Sequence, residues 1–285
     1  MRYAAPTPLE YFASLVASDD SLHLLEAAVS LGQDEQPGLD VQAVLADVDR
    51  LARRLRERVR PGMAAPERLR LLTRFFHGEL GFAGNLNNYY AADNSFIHRV
   101  LETRRGIPIT LAVLLLELGE QVGLRMAGVA FPGHFLVKCR AGLGEVVIDP
   151  FTGDALSAAR LEELLAVYRQ GSELPQDLQL PLEFFLRAAS PRQILARMLR
   201  NLKEIYKSAA DAARLLAVLQ RLVVLLPDDA AERRDRGLLL DQLGRSAAAA
   251  ADFAFYLERR PDAPDATALR RRLAALQNDG TPPLQ

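Results

Sequence analysis

The chain has one cysteine, Cys139, and no tryptophan in 285 residues. A lone cysteine excludes an intrachain disulfide and points to a reducing compartment. Long apolar runs are missing too. The longest, residues 111–116, falls far short of the ~20 residues that cross a bilayer. The opening M-R-Y-A-A-P-T-P-L-E-Y-F lacks the apolar stretch of a secretory signal. Neither sign of charge is in excess, with 35 Lys and Arg against 36 Asp and Glu. That balance argues against bulk electrostatic attachment to nucleic acid or to an anionic membrane. There is no glycine-rich phosphate loop and no His/Cys/Glu set at metal-ligand spacing, so nothing calls for a cofactor or metal. The expectation is a soluble cytoplasmic protein without nucleic-acid or membrane partners.

What is present is apolar residue in quantity, 49% of the chain, enough for a real core in one large or two medium domains. Residues 7–32 read as two short helices broken at S-D-D-S, with Asp19 or Asp20 capping the second. After the loop Q-D-E-Q-P-G, Asp40 caps a helix to about residue 60, with Val41, Val44, Val48, Leu51 and Leu55 at helical period. Acids come early in it and arginines (53, 54, 56, 58, 60) late, as the helix dipole favours. The arginine run reads as a solvated face, with a nucleic-acid patch as the alternative. A further helix spans about 66–80.

The stretch G-F-A-G-N-L-N-N-Y-Y-A-A-D-N-S, 81–95, reads as an ordered loop, because a solvated linker rarely carries Phe82, Leu86, Tyr89 and Tyr90 so close together. Asn85, Asn87, Asn88 and Tyr89 either hold backbone groups or line a cleft. Asp93 or Asn94 is expected to cap the next helix. Pro108 suits the first turn of another helix, one with almost no polar face and therefore buried. Runs 124–131 and 134–140 flank Pro132-Gly133 as a hairpin, and Gly142-Leu143-Gly144 turns into a third strand, 145–149. A helix to Tyr168 and a linker at 171–181 follow.

Beyond the linker, L-L-P-D-D-A and R-R-P-D-A-P place Pro227 and Pro261 34 positions apart, the tetratricopeptide period. Gly237, Leu240, Gly244, Ala249 and Phe253 fall where that repeat takes small, apolar or aromatic residues. Gly244 and Ala249 are expected at close helix approaches. Tyr206, Ala210, Leu215 and Leu219 do the same one period earlier. Two repeats are too few to stand alone, so they are expected to pack on the core. The expected fold is α+β. Residues 1–180 form a helical N-terminal region and small antiparallel sheet; residues 181–285 form helical repeats.

The order of helix ending in Gly123-Leu124-Arg125, strand opened by His134-Phe135-Leu136-Val137 and strand closed by Asp149-Pro150 resembles a transglutaminase-like or papain-like core. In that core a cysteine at the helix N-terminus is the nucleophile, the His its base and the Asp the group that orients it. The resemblance puts the cysteine position at Pro108. G-I-P-I-T there, with F-P-G-H-F later, is similar to the bacterial SirB-one family, a core followed by tetratricopeptide repeats. It implies a His134–Asp149 pair lining a cleft, with Pro108 and Thr110 facing it. Read from the residues alone, His134 is equally a turn residue and Asp149 a turn acid.

Other nucleophiles fare poorly. Cys139 lies an odd number of positions from His134, on the opposite face of a strand. Thr110 is turned ~200° from Pro108 on the helix, and Ser95 reads as a cap. Two functions follow. The first is a non-catalytic protein- or peptide-binding or regulatory protein, a pseudoenzyme. The alternative is a hydrolase or acyl transferase using His134 and Asp149.

Overall fold

The computed structural model describes residues 6–142, 144–171 and 180–279. The first five residues, Leu143 of the glycine turn and most of the expected linker lie outside them. The chain forms two compact units, one from Leu15 to Met198, the other combining the segment up to Ser14 with everything from Leu199.

Helix α1 (Pro8–Leu15) opens the chain, and α2 (Leu24–Ser30) and α3 (Val41–Arg56) follow. Asp40 caps α3 as expected, its carboxylate accepting from the Ala43 N–H. Asp19 and Asp20 do not cap α2. They lie in a separate 3-10 turn, and His23 occupies the cap position without a side-chain bond. The arginine run is more than a solvated face: Arg54 and Arg58 lie over the Phe75 ring at 5.6 and 5.0 Å, and Arg58 pairs with Glu79. Helix α4 (Ala65–Thr73) runs into a π-helical turn, Arg74–Glu79. The Leu80 N–H reaches five residues back to the Phe75 carbonyl, and the wider turn buries Phe75 and Phe76 side by side.

The parallel pair β1 (Ala83–Gly84) and β2 (Arg105–Gly106) brackets α5 (Ile97–Thr103). Helix α6 (Pro108–Gln121) then follows, with Pro108 in its first turn, and Ile109 through Leu115 are all buried. β3 (Met126–Val129), β4 (Leu136–Ala141), β5 (Gly144–Ile148) and β6 (Ala155–Leu156) form one antiparallel sheet in chain order. Pairing of Val137 with Ile148 and Cys139 with Val146 sorts the two faces. Leu136 and Val147 pack with Leu161 and Leu165 of α7 (Ala158–Gly171), alongside Phe185 of α8 (Leu182–Phe185). The opposite face, with Cys139, meets α4 and α6.

In the other unit, α9 (Pro191–Ser208) supplies its residues from Leu199 onward. It is followed by α10 (Ala212–Leu225), α11 (Ala230–Gln242), α12 (Ser246–Arg259) and α13 (Ala266–Asp279). Successive helices from α10 to α13 pack on one another, as stacked helical repeats require. Gly244 is not at a close helix approach. The space where its Cβ would stand is open, and its φ of +70° is the reason for glycine. Ala210, one period earlier, takes the same left-handed turn at φ 53°. The close approach is at Gly237, where a Cβ would stand 2.9 Å from the Phe253 ring. Ala249 is fully buried and Ala247 exposed. Ala249→Leu should therefore lose about 1–3 kcal/mol through overpacking, while Ala247→Leu leaves the melting temperature unchanged. Equal melting temperatures for the two variants would contradict this packing.

Charge is buried in this unit as well. Asp252, 1% exposed, accepts two bonds of 2.7 Å from Arg236, and Arg233 stands 3.6 Å away. Glu232 is held by Arg200 at 2.8 Å and Lys203 at 2.7 Å. On α1, Phe12 is fully buried beneath the Arg221 guanidinium, 4.9 Å from its ring centre.

Candidate functional site

Four of the expected cleft residues, Asn85, Asn88, Tyr89 and Thr110, meet at Asn94, which is 3% exposed. Its side-chain oxygen accepts from the Asn85 amide at 2.9 Å. Its own amide donates to the carbonyls of Asn88 (2.6 Å) and Tyr89 (3.1 Å). Its backbone carbonyl takes the Thr110 hydroxyl at 2.7 Å and the Ile107 N–H at 3.4 Å. One buried amide thus ties the loop to the N-terminus of α6. Asn94 does not cap α5, whose cap position is Phe96. Asn85 also accepts from the Asn88 N–H. Asn87 is exposed and outside this network. Of the two readings for these asparagines, Asn85 follows the backbone-holding one, while Asn88 is held through its own backbone N–H and carbonyl.

The loop's outer side is apolar. Leu86 is 83% and Tyr90 80% exposed, while Tyr89 is edge-on to Tyr90 and 6.1 Å from the Phe151 ring. Phe151 is locked in turn: its carbonyl accepts from the Gly84 N–H, and a side chain at Gly84 has no room against its ring. Burial raises the Tyr89 phenol, Tyr90 and Asp149 push the same way, and Arg197 opposes them.

His134 and Asp149 are not hydrogen-bonded to each other. The His134 N–H closes a turn onto the Phe131 carbonyl, and among the described residues its ring has no hydrogen bond. Asp149 accepts from the Phe151 N–H at 2.8 Å, a turn-forming carboxylate. The ladder that would align the two side chains stops at Val137 and Ile148. The histidine whose proton Asp149 influences is His77, which the sequence reading did not single out. It sits in the π-helical turn with Nδ1 2.9 Å from the Phe82 carbonyl. Burial pushes its imidazole below the ordinary value, against that bond and the charges of Asp149 and Asp154. A histidine inside a helix that closes on Gly81, immediately before Phe82, was the only signal for it.

Pro108 is half-buried at the α6 N-terminus. Thr110 is fully buried, its hydroxyl committed to Asn94 and to the Ile107 carbonyl at 3.0 Å. Ser95 is buried in a 3-10 turn, not a cap. Cys139 is buried in β4, and burial pushes its thiol up. Among the described residues no hydroxyl or thiol meets His134, and no group of three or more His, Cys, Asp or Glu gathers as a metal site. None of their helices is long and apolar enough to cross a membrane.

Comparison with known proteins supports this architecture. Residues 42–200 match the family model described as transglutaminase-like superfamily, and residues 202–274 match a tetratricopeptide repeat. A UPF0162 protein of Xylella fastidiosa is 34% identical over 262 residues, 92% of each chain. Protein SirB1 of Salmonella typhimurium is 27% identical over 236 residues, covering 81% of this chain and 84% of its own. UPF0162 protein YchA of Escherichia coli shows the same identity and coverage. No solved structure matches. With its helix–strand order, its two matched regions and relatives similar along most of their length, the chain belongs to the transglutaminase-like SirB1/UPF0162 family.

Proposed function

We propose that this protein is a non-catalytic, cytoplasmic binding or regulatory protein that docks a protein or peptide on the loop 85–91. The observation that carries this is the braced apolar loop. A buried amide holds three of its backbone and side-chain groups in place, while Leu86 and Tyr90 face solvent. Pre-organised exposed side chains of this kind bind with little loss of conformational freedom. Three features of the catalytic position support the same reading. Pro108 carries no nucleophilic atom, Thr110 has its hydroxyl engaged, and Cys139 is a buried thiol whose ionisation burial disfavours. The repeats offer a second peptide surface, since stacked helical pairs present extended faces.

The alternative, a hydrolase or acyl transferase, draws support from the His134 ring, which has no hydrogen bond among the described residues and could serve as a base. Photo-crosslinkers at positions 86 and 90, with exposed position 247 as control, test the docking reading. The same discrete partner captured from 86 and 90 but not from 247, and lost on Asn94→Ala, is the expected result. Turnover of an amide or ester panel that disappears in His134→Ala would overturn it in favour of the enzyme.

A further inference from the structure

Away from the docking loop, a cavity of about 540 Å³ opens where α4 and the π-helical turn cross the Cys139 face of the sheet. Its floor is apolar, made by Ala141 of β4, Val146 and Ile148 of β5 and Ala155 of β6. The pairing register explains why: these residues share the face that β4 and β5 turn toward α4. The volume lies inside the roughly 300–1,000 Å³ typical of small-molecule sites.

The rim is cationic. Arg70 on α4 and Arg74, which opens the π-helical turn, stand four positions apart, both exposed and both lining the cavity. Neither has a hydrogen bond or a carboxylate in ion-pair contact among the described residues. Glu79, whose carboxylate Arg74 influences, is already paired with Arg58. Two like charges four positions apart disfavour a helix, so the helix gains nothing from them. His77 lines the same cavity, and its buried Nε2 has no hydrogen-bond partner among the described residues. Its acidic neighbours, Asp149 and Asp154, lie toward Gly153, whose Cβ position is 2.7 Å from the ring. The rim of Arg70 and Arg74 is therefore the favourable end for negative charge.

We infer that this cavity binds a small amphipathic carboxylate, with its apolar body over Val146, Ile148 and Ala155 and its head between Arg70 and Arg74. Planar guanidinium groups match a carboxylate in geometry as well as charge. An apolar floor without a polar end would hold a hydrocarbon in any orientation; the paired arginines give the site one.

Decanoate and decanol, kept below micelle-forming concentration, test this on the full chain by calorimetry and amide NMR. Decanoate should bind saturably, one per chain, with shifts at the Ala141 and Ala155 amides. Arg70→Gln/Arg74→Gln, which alters only exposed side chains, should weaken decanoate about tenfold and leave decanol unchanged. Added salt should mimic the double variant. Ala155→Phe, at an exposed edge-strand position, should weaken both ligands by filling the floor. The inference is overturned if decanoate ignores the arginine variant, if a folded protein shows no saturable binding, or if the shifts fall elsewhere.

Discussion

An Asn94→Asp variant is expected to lose about 2–4 kcal/mol of stability, more than Asn94→Ala, although aspartate has the asparagine's shape. The Asn94 amide nitrogen donates to the carbonyls of Asn88 and Tyr89. An aspartate there aims an acceptor at two acceptors and buries a charge at a position 3% exposed. Alanine forfeits the bonds but brings no charge. The loss corresponds to a melting-temperature drop of roughly 5–15 °C for a protein of this size. Calorimetry reads the stability, and the near-ultraviolet signal of Tyr89 and Tyr90 reports whether the loop has come loose. If the aspartate variant is no worse than the alanine one, the two carbonyls are not what the amide holds.

The second large effect is in the repeats. Arg236→Met removes the two-bond partner of Asp252 and leaves that carboxylate, 1% exposed, with only Arg233 at 3.6 Å. Stranding a buried charge typically costs about 3–5 kcal/mol, the upper end reduced here by Arg233. The double variant Arg236→Met/Asp252→Leu should recover most of the loss, because an apolar pair needs no compensating charge. A double variant as unstable as the single would show that the pair acts through shape rather than charge. Denaturant unfolding of the full chain separates these outcomes.

Much of the architecture was legible because it rests on local patterns. Helix α6 has no polar face, the strands alternate around Pro132-Gly133, and Pro227 and Pro261 repeat at the expected period. Cys139 could be placed on a buried strand face from spacing alone. The site was less legible because its connections are long-range. Nothing local separates Asn94, which is buried and bonded to several groups, from Asn87, which is exposed. His77 looks like an ordinary helical residue until the π-helical turn carries it beside the Phe82 carbonyl. Gly244 was placed by the repeat's taste for small residues, yet only its left-handed backbone, shared with Ala210, requires it.

Phe12 and Arg221 belong to the same unit although 209 positions separate them. On the ribosome, at about 5–20 residues per second, Phe12 emerges some 10–40 seconds before the arginine that covers its ring. The span 15–198 is complete before the first helix of the chain meets its partners. During that interval α1 carries an unsatisfied aromatic side chain, the form of exposed surface that chaperones recognise. A circular permutant that joins the two ends and starts at Leu15 would synthesise the helical unit as one uninterrupted stretch, and should refold with less aggregation than the natural order.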